Sequence, residues 1–215
     1  MIDFTVAIPV FNTKPAELLE AVYSIINQTI KQDFEIIIID DCSNDLATIN
    51  ALKLFEDQSF IRSGIRKTFV LRLDENGGTS KALNVAHDLI KSEYIAIMGS
   101  DDIADPNRFE KQIKHLEKNP QIDVLGTNLF SFYEDDIFRK PAHVTKHPYK
   151  AGNGTSTWLV NHGTVIYKNK EVKRIGGYDL TKRRAQDIDL FLRLRNAGKI
   201  ICNLPDILYA WRRRR

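Results

Sequence analysis

A chain of 215 residues with 43% apolar and 27% charged side chains is long enough for one sizeable α/β core, too short for two ordinary catalytic domains, and unlike a disordered chain. The formal charge of +3 is modest, and four of the arginines close the sequence as Arg212-Arg213-Arg214-Arg215. The body is therefore nearly neutral and gives no general argument for nucleic-acid binding. Two cysteines, Cys42 and Cys202, are too few for a disulfide framework or a cysteine-rich metal site and suit a reducing compartment. No apolar run approaches the roughly 18 residues of a membrane span, and Met1-Ile2-Asp3-Phe4 enters a strand without a basic leader or an apolar signal core. The expectation is a cytoplasmic protein. Its arginine tail reads as a solvated terminus that an anionic membrane surface could use for peripheral contact, or a diphosphate could engage.

The chain opens with the β-rich run Thr5–Val10, a loop at Phe11-Asn12-Thr13, and a helix that Pro15 begins and that Leu18, Leu19, Val22, Ile25 and Ile26 make amphipathic. Phe34–Ile39 is an apolar strand ending at Asp40-Asp41, and a second helix runs on through Leu54 and Phe55. Lys67–Leu73 reads as a third strand, after which Asn76-Gly77-Gly78-Thr79-Ser80 leads into a helix with Leu83, Ala86, Leu89 and Ile90 on one face. Tyr94–Met98 is a fourth apolar run that stops at Gly99-Ser100-Asp101-Asp102, and its helix carries Phe109, Ile113 and Leu116. Four strand-helix alternations predict a doubly wound, mostly parallel sheet with helices on both faces, and ligands of such sheets gather outside the carboxyl ends of the strands.

The second half is less regular. Val124–Tyr133 reads as a long strand, 134–157 as an extended loop or cover, and His162–Tyr167 as a further strand. Ile175–Asp179 is a turn, Ile188–Ala197 an amphipathic helix closed by Gly198, and Ile200–Leu204 and Ile207–Trp211 two closing runs.

The chain has neither G-x-G-x-x-G after its first strand nor a P-loop, so a diphosphate here needs a metal or basic side chains. Adjacent carboxylates such as Asp101 and Asp102 repel unless they share a cation, although an acidic turn that caps the following helix is the simpler alternative. Asp40 and Asp41 have the same two readings: caps of an acidic turn with Ser43 and Asp45, or acceptors for a base N–H or a ribose hydroxyl. Gly77-Gly78 serves a tight turn or lets backbone approach a nucleotide. Asp187 stabilises a helix N-terminus or acts as a general base. His162 reads more simply as structural than as a pocket residue, and Trp158 and Trp211 as core or rim aromatics that could stack on a sugar.

Taken in order, Thr5-Val6-Ala7-Ile8-Pro9-Val10-Phe11-Asn12, Ile38-Ile39-Asp40-Asp41, Asn76-Gly77-Gly78-Thr79-Ser80-Lys81-Ala82-Leu83-Asn84, Gly99-Ser100-Asp101-Asp102 and Gln186-Asp187-Ile188-Asp189-Leu190 resemble the family 2 glycosyltransferases over nearly the whole chain. The resemblance implies a single GT-A domain over 1–215, with a nucleotide-binding half (1–120) and an acceptor and catalytic-base half (121–215). It also implies inverting transfer of a sugar from a nucleotide diphosphate sugar, a UDP-sugar by preference, to a hydroxyl of a saccharide or lipid-linked acceptor. By the same resemblance Asp41, Pro9, Phe11, Asn12, Gly77, Lys81 and Asp101 bind the nucleotide. Asp102 holds a divalent metal, Mn2+ or Mg2+, and Asp187 is the base.

The sequence departs from the family where Gly99 replaces an acid and where Gln186 replaces the Glu before the base. It also lacks the Q-x-x-R-W pattern of processive synthases, so a non-processive enzyme is expected. A sugar-phosphate nucleotidyltransferase would need a basic glycine-rich loop after strand one, which Val10-Phe11-Asn12-Thr13 does not supply. A degenerate sugar-nucleotide binding module is the alternative that Gly99 and Gln186 raise.

Overall fold

The computed structural model describes residues 2–56, 65–136, 139–150 and 158–214. Four parallel strands stand in the order β3-β2-β1-β4: β1 Phe4–Val10, β2 Phe34–Asp40, β3 Ile65–Arg72 and β4 Tyr94–Ile97. Between them run α1 Pro15–Ile26, α2 Leu46–Glu56 and α3 Gly78–Leu89, and after β4 comes α4 Arg108–Lys118. Side chains alternate across a strand, so each strand feeds two cores. Phe4, Val6, Ile8 and Val10 pack with α1, α2 and α4. Ala7, Ile37, Ile39, Ile95 and Ile97 point the other way, toward α3 and the apolar residues of two later helices, Asn169–Arg174 and Gln186–Asn196. A register slip of one residue would move each set to the wrong core, which is why these apolar strands specify their pairing.

Beyond β4 the sheet turns mixed. β8 Ile166–Lys168 lies antiparallel to β4, followed by β6 Val124–Tyr133, β9 Ile201–Arg213 and the two-residue β5 Ile103–Ala104. β7 His143–Thr145 pairs with β6 antiparallel. α5 Asn169–Arg174 and α6 Gln186–Asn196 complete the layer over α3.

Three expectations need correction. His162–Thr164 is a 3-10 turn, and only Ile166–Lys168 continues as strand. Ile200–Leu204 and Ile207–Trp211 merge into one strand of 13 residues; its register against β6 shifts where Pro205 lies, and the Pro205 carbonyl accepts from Asn128 Nδ2 at 2.8 Å. Pro205 cannot donate to a ladder, so the strand crosses it as an irregularity, in keeping with the shift. The segment expected as irregular cover includes the ordered strand β7, while 137–138 and 151–157 lie outside the described residues.

Candidate active site

The carboxyl ends of β1, β2 and β4 converge with α6. Asn12 sits in the left-handed region (φ 48°), which Asn tolerates better than most residues. Its Oδ1 accepts from the backbone N–H groups of Asn44 (2.9 Å) and Asp45 (3.0 Å), and its own N–H donates to Ser43 Oγ at 2.9 Å. Asn12 thus latches the β1 loop to the β2 loop. Asp45 caps α2 by accepting from the Thr48 N–H at 3.0 Å.

Asp41 caps a different helix. Its Oδ1 accepts from the Gly77 N–H at 2.9 Å and its Oδ2 from the Gly78 N–H at 2.7 Å, so a carboxylate on β2's end meets the positive end of α3. Gly78 has a φ of 78°, a conformation open to glycine at little cost. Asp40 is buried beside it, accepting from the Ser43 N–H at 2.9 Å, with Arg72 Nη1 at 3.2 Å.

At the end of β4 the two carboxylates part. Asp102 is 7% exposed; Oδ2 accepts from the Tyr209 hydroxyl at 2.7 Å and Oδ1 from the Arg212 N–H at 2.8 Å. Burial, with the Asp101 charge beside it, pushes its pKa up to about 7. The same Tyr209 oxygen accepts from the Gly99 N–H at 3.0 Å. Beneath them Arg108 is fully buried, donating to the Ile97 carbonyl at 2.9 Å and to Gln112 Oε1 at 3.1 Å. Asp101 is more open, with Arg214 Nη2 3.5 Å from its Oδ2; burial raises its pKa and the Arg214 charge opposes that. Arg214 also donates to Glu17 at 2.8 Å.

Asp187 lies in the first turn of α6. Ala185 before it is left-handed (φ 54°), a conformation that costs a residue with a β-carbon roughly 1–2 kcal/mol and sets the direction in which the helix starts. Arg193 fastens α6 by donating to the carbonyls of Ile175 (2.9 Å) and Gly177 (2.7 Å) and to Asp189 (2.7 Å).

Two adjoining cavities, of about 320 and 370 Å³, share Pro9, Thr79, Ser100 and Asp101 in their walls. The first adds Phe11, Asn12, Asp41, Gly78 and Arg214. The second adds Asp102, Trp158, His162, Asp187, Tyr209 and Trp211. Of the residues expected in the site, Pro9, Phe11, Asn12, Asp41, Asp101, Asp102 and Asp187 therefore do line one continuous cleft. Gly77 meets it only through the Asp41 bond. Lys81 turns its ammonium to Glu75 at 2.6 Å and is absent from both walls, because its stem lies over Gly77.

Of the closing arginines, Arg212 and Arg214 are not part of a free solvated tail. Arg212 is 9% exposed and Arg214 is held in the cleft by Glu17 and Asp101. Sequence reasoning missed Tyr209, Arg108 and Tyr178, and treated His162 as structural although it lines the cleft. A lone tyrosine inside an apolar run carries no periodic signal, and only the long-range pairing of β9 brings Tyr209 to Asp102.

Among the described residues no three His, Cys, Asp or Glu side chains gather as a protein-only metal cage. None of the described helices is long and apolar enough to cross a membrane.

This sheet, with acidic strand ends opening into one cleft, has the GT-A architecture of sugar-nucleotide glycosyltransferases. Residues 5–174 match the model of glycosyl transferase family 2, and the chain belongs to that family. An uncharacterized glycosyltransferase of Methanocaldococcus jannaschii is 29% identical over 88% of this chain, and the chain spans 63% of that relative's length. The amylovoran biosynthesis glycosyltransferase AmsE of Erwinia amylovora is 27% identical over 95% of the chain and is matched over 74% of its own. Among solved structures, S. aureus TarS 1-349 in complex with UDP-GlcNAc superposes with a TM-score of 0.80 at 20% identity, over 100% of this chain and 59% of that one. The mannosyltransferase PcManGT from Pyrobaculum calidifontis, in complex with GDP-Man and Mn2+, gives 0.73 at 15% identity, over 96% of this chain and 56% of that one. The chain thus spans less than two thirds of the length of several of the relatives and solved structures it matches.

Proposed function

We propose that the protein is an inverting, non-processive glycosyltransferase that moves a sugar from a UDP-sugar to a hydroxyl of a saccharide or lipid-linked acceptor. The observation that carries this reading is that Asp41, Asp101 and Asp187, distant in sequence, line one continuous cleft. Asp41 with Pro9 and Phe11 offers a flat, partly apolar site ending in a carboxylate, which suits a base that carries an N–H.

The donor set fits a divalent metal of the Mn2+ or Mg2+ kind. Hard carboxylate oxygens suit such ions, and one or two protein carboxylates suffice when substrate phosphates complete the shell. Because Asp101 lines both cavities whereas Asp102 lines only the second and is tied to β9 through both oxygens, we assign the metal to Asp101, with Asp102 behind it holding the loop. This revises the ligand expected from sequence. When bound, the cation neutralises charge developing on the leaving diphosphate. Arg214 adds a second positive charge in the same wall.

Asp187 takes the proton from the acceptor hydroxyl as that oxygen bonds to the anomeric carbon. The bond from that carbon to the phosphate oxygen breaks with its electron pair leaving on the nucleotide diphosphate, and the attack from the opposite face inverts the configuration. Trp158 and Trp211, 51% and 44% exposed in the cleft wall, give apolar faces on which an acceptor sugar packs. Gly99 no longer argues for a degenerate module, since a side chain there has no room: an added Cβ would stand 2.4 Å from Asp102 Oδ2.

A panel of UDP-, GDP- and dTDP-sugars with MnCl2 and a mixture of saccharide acceptors tests the reading by nucleotide diphosphate release. Release from a UDP-sugar that stops on chelation is expected. Binding of the donors without release from any of them returns the protein to the binding-module alternative.

A further inference from the structure

A chain of hydrogen-bonded groups runs from the cleft wall into the core between α3 and α5. His162 Nε2 is 2.7 Å from the Tyr178 hydroxyl, which is 3.3 Å from the Tyr167 hydroxyl; that in turn is 3.0 Å from His87 Nε2, and His87 Nδ1 is 2.8 Å from Asn169 Oδ1. Tyr167, Tyr178, His87 and Asn169 are all buried.

The direction of every hydrogen follows from the inner end. The Asn169 amide nitrogen donates to the carbonyls of Ile90 (3.1 Å) and His87 (3.5 Å), so its Oδ1 is an acceptor. His87 Nδ1 must then carry a hydrogen. Burial drives the His87 pKa down to about 4, so the ring is neutral and its Nε2 is bare. Tyr167 donates to that nitrogen, which leaves the Tyr167 oxygen to accept from Tyr178. Tyr178 has then spent its only hydrogen, and its oxygen accepts from His162 Nε2–H.

The reverse assignment, with Tyr178 donating to His162, would leave two buried hydroxyl oxygens facing each other with no hydrogen between them. Unpaired polar contacts of that kind are costly away from water. Burial lowers the His162 pKa against the opposing Asp187 charge, which favours the neutral ring. Its Nδ1 is therefore a bare acceptor, and no described residue hydrogen-bonds to it.

We propose that His162 is a specificity residue for the acceptor: the Tyr178-Tyr167-His87-Asn169 chain holds it as the Nε2–H tautomer, and Nδ1 accepts a hydrogen bond from a second hydroxyl of a saccharide whose attacking hydroxyl faces Asp187. This rests on the transferase reading above. The chemistry is selective, because a neutral acceptor beside a carboxylate favours a hydroxyl and disfavours a phosphate or carboxylate at the same place. The chain also explains why buried polar groups occupy a core position that apolar residues could fill. Tyr167, His87 and Asn169 act through His162 and are positioning residues.

Nitrogen-15 NMR of histidine-labelled protein tests the tautomer without needing turnover. Of the five histidines, His162, assigned by comparison with His162→Gln, is expected as Nε2–H and His87 as Nδ1–H. Finding His162 as the Nδ1–H tautomer overturns the proposal. Tyr167→Phe, which keeps the ring and lines neither cavity, is expected to release His162 into a mixture of tautomers. It should also raise KM for a methyl glycoside acceptor about tenfold, the scale of one hydrogen bond, with the donor KM unchanged. An unaltered His162 spectrum and acceptor KM in that variant contradict the proposal. If the wild-type protein turns over no donor with any glycoside, the transferase reading has failed, and the wild-type spectrum still decides the tautomer.

Discussion

Tyr209 donates its hydroxyl hydrogen to Asp102 Oδ2 at 2.7 Å across 107 residues of sequence, and the same oxygen receives the Gly99 N–H at 3.0 Å. Through this one hydroxyl the last strand sets the conformation of the acidic turn after β4. β5 and β9 pair Ile103 with Ala210 and Ala104 with Tyr209, so the strand register delivers the tyrosine to the turn.

A glycine at position 99 fits that arrangement. In Gly99→Asp, a Cβ would lie 2.4 Å from Asp102 Oδ2 and 3.1 Å from the Tyr209 oxygen, and Asp102 is held too firmly to swing aside. The substitution is expected to lower stability by roughly 2–4 kcal/mol, the scale of disrupting a buried charged network, and to leave activity unimproved. Urea denaturation of the variant checks it, and wild-type stability would show that the turn has another conformation available.

Asp102 makes stability depend on pH in an uncommon direction for a carboxylate. Its folded pKa, about 7, lies above the ordinary value for aspartate. The folded state therefore binds the proton more tightly, and this group's contribution is full below the unfolded pKa and lost as pH rises through about 7. The melting temperature of the wild type should fall relative to that of Asp102→Asn between pH 5 and pH 8 in metal-free buffer. Parallel curves for the two proteins would contradict it. The difference is the useful quantity, because buried His87, held down to about 4, acts in the opposite sense in both proteins.

Arg214 joins Asp101 and Glu17 in the cleft wall. Arg214→Ala should weaken UDP binding in the presence of Mn2+ about five- to tenfold, in line with one charge-assisted hydrogen bond at a partly exposed site. Calorimetry measures this directly. An affinity equal to wild type would assign Arg214 to holding the end of β9 alone.

Most of the parallel half was legible because β1, β2 and β4 are buried on both faces and read as apolar runs, with acids marking the ends of β2 and β4. Asp41 and Asp101 could be expected in a site because each follows such a strand, and Asp187, in the first turn of a helix, through the family resemblance. What the sequence hid depends on pairing between distant segments. β9 crosses Pro205 as one strand because β6 supports it, and α5, with six residues, is too short for a helical period to register. That both oxygens of Asp102 accept hydrogen bonds from β9, at Tyr209 and Arg212, is also beyond what local pattern can express. Lys81 likewise sits at the family position yet pairs with Glu75.

The central claim is that Asp187 is the base in a cleft whose donor site is built by Asp41 and Asp101. Steady-state nucleotide release by Asp187→Asn, compared with wild type on the same donor and acceptor, tests it most directly. The account predicts turnover reduced ~10²- to 10⁴-fold, the range of general-base catalysis, with the calorimetric affinity for the donor within about twofold of wild type, a difference of ~0.4 kcal/mol. Turnover at the wild-type rate in that variant would contradict it.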